Sequence, residues 1–197
     1  MRLILAIVAL ALFLSSAQAA EWRQTFEWRV GVAYASGVGD VTDLYEENLR
    51  LSGLEADVDL KFPLGIAAGM TYDWASGMRA DVSLGPTFFI GGETEHFELP
   101  LGVTLGYNFM RDADASPYVR GGVIHHFASG DYDVSSNPGL FVAAGLDFTR
   151  FTIEVALDNS EVEFEAADCA PDGTMCRPTI RTLNTYEFIA GVFWRFR

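Results

Sequence analysis

The chain has 197 residues; 13 basic and 27 acidic side chains give a formal net charge of −14, and half of the residues are hydrophobic. Aromatic residues at 13% with charged ones at only 20% exclude a disordered chain, and two cysteines exclude a disulfide scaffold. The acidity argues against nucleic acid as a partner, since phosphate contacts need a basic face.

Residues 1–19 place Arg2 before an unbroken apolar run from Leu3 to Leu14, then small residues ending in Ala17-Gln18-Ala19. That is the layout of a secretory signal peptide, and cleavage after Ala19 leaves 20–197 as one domain. Beyond it no apolar run is long enough for a helical membrane span. The hydrophobic signal has period two instead.

In 26–34, Phe26, Trp28, Val30, Val32 and Tyr34 share a face opposite Glu27 and Arg29. The long connection 36–56 includes a stretch in which Thr42, with Asp43 or Glu46, caps a short helix carrying Leu44, Leu49 and Leu51 on a partly apolar side. The second strand, 58–74, sets Leu60, Phe62, Leu64, Ile66, Met70, Tyr72 and Trp74 against Asp59, Lys61 and Asp73. After the turn 75–77 comes 78–90, with Met78, Val82, Leu84, Pro86, Phe88 and Ile90 facing away from Arg79 and Asp81. The fourth, 96–109, runs from Phe97 to Phe109 with Glu98 on its polar side. The fifth, 117–127, is the least regular, with Val119, Val123, His125 and Phe127 on its apolar side and Arg120 opposite. Strand 139–148 carries Leu140, Val142 and Leu146 with Asp147 opposite, and the strand from Phe151 carries Ile153, Val155 and Leu157 against Glu154 and Asp158. The last, 181–196, puts Tyr186, Phe188, Val192, Trp194 and Phe196 opposite Glu187 and Arg195.

Eight alternating strands with short turns at one rim and mostly longer loops at the other make an all-β, eight-stranded antiparallel up-and-down transmembrane β-barrel the expected fold. A soluble barrel would bury its apolar face, but eight strands enclose too little volume for so many large side chains. The polar face is rich in small residues, which suit a crowded lumen. Aromatics such as Trp28, Tyr34, Trp74, Phe109 and Trp194 gather near the ends of the apolar stripes, as interfacial girdles do. The apolar face therefore points at lipid.

Over nearly all of 20–197 this pattern resembles the small eight-stranded outer-membrane barrels of Gram-negative bacteria, of the OmpA-domain and OmpX type. The ending Tyr186-Glu-Phe-Ile-Ala-Gly-Val-Phe-Trp-Arg-Phe196 resembles the strand signal read by the assembly machinery, except that Arg197 follows the final aromatic. The resemblance implies a monomer in the cell outer membrane, with membrane lipid, lipopolysaccharide and that machinery as partners.

The lumen is expected to hold Glu27, Arg29, Asp59, Lys61, Arg79, Asp81, Glu98, Arg120, Asp147, Glu154, Glu187 and Arg195 as paired charges. A narrow pore lined by them would favour cations. Cys169 and Cys176 flank Pro171-Asp172-Gly173, and in an exported chain a disulfide is expected. Two thiols without a neighbouring His do not specify zinc, and the acidic loops match no calcium-loop spacing, so no metal, cofactor or catalytic residue is assigned. His125-His126 followed by Ser129 and Asp131 invites comparison with enzymes that acylate or deacylate lipid A. That chemistry, centred on His126, needs a serine on the same strand face, whereas Ala128 stands two residues on. The sequence thus reads as a non-catalytic envelope or surface-interaction barrel, with a lipid A-modifying enzyme and a cation-leaky pore as alternatives.

Overall fold

The structure is a computed structural model that describes residues 25–53, 64–90, 94–110, 113–169 and 176–196, the side chains of 88–90 excepted. The expected signal peptide, Asp59, Lys61 and the tip of the last loop lie outside the described residues.

The strands are β1 (Thr25–Ala35), β2 (Leu64–Asp73), β3 (Met78–Ile90), β4 (His96–Asn108), β5 (Ser116–Gly130), β6 (Asp133–Asn137), β7 (Gly139–Asp147), β8 (Phe151–Asp158), β9 (Glu161–Cys169), β10 (Cys176–Leu183) and β11 (Phe188–Phe196), with one helix, α1 (Val38–Leu51), after β1. Eight of them close a barrel in the order β1-β11-β8-β7-β5-β4-β3-β2, and every neighbouring pair is antiparallel. Closure pairs the first strand with the last, Trp28 opposite Phe196 and Ala35 opposite Ile189, so no sheet edge is left to face lipid. The expected fold is the observed one.

Alternation assigns the two faces as the sequence implied. Trp28, Ile66, Val103, Leu105, Val123, Leu140, Val142, Leu157 and Trp194 are all more than half exposed on the outside of the barrel. Near the short-turn rim the exterior aromatics pair, Tyr72 with Trp74 at 4.9 Å between centroids, Tyr107 with Phe109 at 5.3 Å and Phe148 stacked on Phe151 at 4.5 Å. The turn between β2 and β3 closes through Gly77, whose φ of +86° is a conformation that side chains rarely adopt.

Four local expectations are corrected. In β3 the pairing with β4 shifts register between Leu84 and Phe88, and the bulge turns Pro86 inward, where it is buried although alternation puts it outside. The long loops after β5 and β8 are not irregular. Instead, β6, β9 and β10 form a second sheet in the order β10-β9-β6, which continues β7, β8 and β11 beyond the barrel as a raised collar. The expected last strand 181–196 is two strands, because the chain turns at 184–187. Alternation is lost there, so Tyr186 is buried inside and Glu187 is exposed. Finally, α1 begins at Val38, earlier than expected. Thr42 is not its cap but lies within it, its hydroxyl donating to the Val38 carbonyl, and Leu51 is exposed while Leu44 and Leu49 are buried.

At the collar tip Cys169 and Cys176 form the expected disulfide. Their Cα atoms are 4.0 Å apart, as in a non-hydrogen-bonded pair, so Pro178 two residues on has its nitrogen on the open edge of β10, where a missing N–H costs no ladder bond.

Candidate functional site

The lumen and its mouth are built in zones. Nearest the short turns, Arg79 is buried over the Tyr118 ring, its Nε donating to Asp73 Oδ1 at 2.9 Å and its Nη2 to Asp147. Arg195 Nε donates to Glu27 at 2.8 Å, and Thr152 donates to Asp147 at 2.6 Å. Above them Arg29 pairs with Asp81 at 2.8 Å, and Arg120 grips Glu154 through Nε at 2.8 Å and Nη2 at 2.6 Å while Tyr118 donates to the same carboxylate. These side chains come from strands far apart in sequence; the charges are paired as burial demands.

Arg29 Nε and Nη1, Arg79 Nη1 and Asp81 Oδ2 find no hydrogen-bond partner among the described side chains. Arg29 borders a cavity of about 30 Å³ that also touches Arg120 and Glu154. That is room for a water or two, the solvent that such polar atoms require. On its far side the cavity meets an apolar band of Ala33, Ala67, Ile124, Phe141, Ile189 and Phe193. The band is the part of the lumen that the sequence conceals, since Ile124, Phe141, Ile189 and Phe193 stand at inward positions otherwise given to small or charged residues.

Beyond the band lies a cluster of two imidazoles and three carboxylates, its carboxylates and rings nearly or wholly excluded from solvent. His126 sits between Glu98, 2.5 Å from Nδ1, and Asp158, 2.8 Å from Nε2. Asp158 also accepts from the Ser160 backbone N–H and hydroxyl, and Glu98 from Thr185. His96 turns Nδ1 to Asp133 at 3.0 Å and Nε2 to Glu98 at 3.4 Å. With carboxylates on both sides, each ring nitrogen acts as a donor and both imidazoles take the charged form. Tyr45, from α1, donates to Asp133 at 3.3 Å; burial first, and Asp133 second, push its phenol well above the usual range, so it stays a donor.

The helix closes the mouth. Its Val38 joins the lumenal apolar band, and Val41, Leu44, Tyr45 and Leu49 pack against Val162, Phe164 and Ala166 of β9. Asn48 donates to the Glu165 carbonyl at 2.8 Å, and on the surface Arg181 pairs with Glu47 at 2.7 Å. Gly37 lets the chain enter: a Cβ there would stand 2.3 Å from the Asn184 carbonyl oxygen.

Glu27, Arg29, Arg79, Asp81, Glu98, Arg120, Asp147, Glu154 and Arg195 thus all face the lumen, and Glu187 does not. His125 is outside, edge-on to Phe127, while His126 is inside and fully buried. Ser129 is exposed on the opposite face from His126, so the structure does not bring the two together. His96 went unnamed in the sequence reading; its signal was Glu98 two residues on, hence on the same face. Among the described residues no group of His, Cys, Asp and Glu has the arrangement of a metal site.

No protein-family model matches the sequence, and no curated protein matches it. Among solved structures, the chain is similar to the outer membrane protein OprG from Pseudomonas aeruginosa, with a TM-score of 0.51 and 14% identity over 90% of this chain and 97% of that one. Outer membrane protein AlkL aligns at TM-score 0.46 and 14% identity over 92% and 94% of the two chains, and Neisserial surface protein A at 0.42 and 13% over 88% and 99%. At such identities the likeness is one of fold. The chain has the fold of the small eight-stranded outer-membrane barrels, and its apolar exterior suits that membrane.

Proposed function

We propose that this outer-membrane barrel is neither a pore nor an enzyme but a closed platform that holds a folded cap at the cell surface, in contact with lipopolysaccharide and open to partners. The observation that carries the reading is the filled lumen: two zones of buried ion pairs, an apolar band and the imidazole cluster follow one another under α1. A continuous channel has no place in that stack. Against catalysis stands the commitment of both His126 nitrogens to carboxylates, which leaves no lone pair to take a proton from a nucleophile. Ser160 and Thr185 donate to the same carboxylates instead.

The test is conductance of the purified chain in planar bilayers, with the lipid A mass spectrum of producing membranes recorded alongside. Background conductance and unchanged lipid A are expected. Discrete cation-selective steps would replace the reading with a pore, and a mass change of one acyl chain would replace it with an enzyme.

A further inference from the structure

We propose that α1 is a lid whose closure is set by protons held in the cluster beneath it, so that the mouth is latched near neutral pH and released as pH rises. The latch is independent of what the cap binds. Its parts come from every element packed around the cluster: Tyr45 from α1, His96 and Glu98 from β4, His126 from β5, Asp133 from β6 with Asp131 and Tyr132 just before it, Asp158 from β8, and Ser160, Thr185 and Tyr186 from the connections beside β9 and β11. Three carboxylates, almost wholly shielded from solvent, face two imidazoles there, and only the doubly protonated rings satisfy all of them.

Among the described residues the helix reaches this set through Tyr45. Tyr45 reaches both Asp133 at 3.3 Å and His96 Nδ1 at 3.3 Å, and its ring lies 5.4 Å from the His96 ring. Removing a proton from His96 turns a ring lone pair onto a carboxylate oxygen in a dry site. Swinging α1 away lets water reach Asp133 and His96 and relieves that repulsion. An imidazole in water gives up its proton at about pH 6.5. Closing the lid therefore takes up protons and opening releases them. Above the range in which the carboxylates titrate, the linkage has one sign: the opening constant rises with pH, by up to about tenfold per pH unit for each proton released. The rest of α1 sets the resting level. Asp40 and Asp43 face solvent, and among the described contacts Glu46 pairs with Arg50 and Glu47 with Arg181.

The experiment is a distance measurement by pulsed electron resonance between nitroxides at Asp43 and Thr182, both exposed, on the full chain in bilayers with its disulfide intact. One short distance is expected at about pH 6, with a longer population growing up to about tenfold per unit toward pH 10. In His96→Gln, which keeps a donor but cannot titrate, the growth should flatten. No long population by about pH 10, or an unchanged profile in His96→Gln, overturns the latch. Should that variant not fold, Tyr45→Phe leaves every imidazole and carboxylate in place and cuts the helix's hydroxyl tie. It should raise the open fraction about tenfold or more at each pH; an unchanged open fraction overturns the proposal equally.

Discussion

The lumen and the cap bury opposite kinds of side chain. Inside the membrane zone, Arg29, Arg79, Arg120 and their carboxylates are almost wholly buried, while leucines, valines and tryptophans lie open on the outside. In the cap the order is reversed: Val41, Leu44, Leu49, Val162 and Phe164 are buried, and Glu47, Glu161 and Glu165 are exposed. The difference follows from the solvent each wall meets. Lipid takes the apolar face of a transmembrane strand, so the inward positions are left for polar groups that must find each other. Water surrounds α1 and the collar, so their apolar faces find each other instead.

The two regions should therefore fail differently. The largest effect is expected from Arg120→Met, which takes from Glu154 its two-point partner, leaves it Tyr118 and the more distant Arg29 at 3.6 Å, and should cost about 3–5 kcal/mol of barrel stability by denaturant unfolding; a loss under about 1 kcal/mol would mean that Arg29, Tyr118 or water already compensates that carboxylate. Phe164→Ala removes a ring from the cap core and should cost a similar amount, about 3–5 kcal/mol, but locally. Protease cutting within 36–53 should rise while the folded barrel's gel mobility stays unchanged; loss of both together would show that cap and barrel are one cooperative unit. Placing charge on the lipid side, as in Val142→Arg, should cost about 2–4 kcal/mol if that position lies near the midplane. Ser135→Ala removes an exposed bond to Glu163 and should change stability by less than about 0.5 kcal/mol.

Period-two patterning made the barrel legible because a transmembrane strand has one apolar and one polar face, and the contrast holds along the barrel strands except at the Pro86 bulge, the turn at 184–187 and the inward apolar band. It also named most lumenal charges, since a charge on such a strand has only one side to take. The collar was not legible: β9, with Glu161, Glu163 and Glu165 alternating with Val162, Phe164 and Ala166, has the same period, but its apolar partners are on α1 rather than in lipid.

What the sequence determined by itself is the alternating, lipid-facing barrel with paired charges inside and a bridged outer loop. Each of these rests on local spacing. What only the tertiary structure decided is which charge meets which, that Pro86 and Tyr186 turn inward, that an apolar band interrupts the lumen, and that Tyr45, His96, His126 and Asp158 meet at its mouth. Those contacts join residues tens of positions apart, brought together by closure of the barrel and by the helix folded over it, and no local period encodes a distance across the lumen.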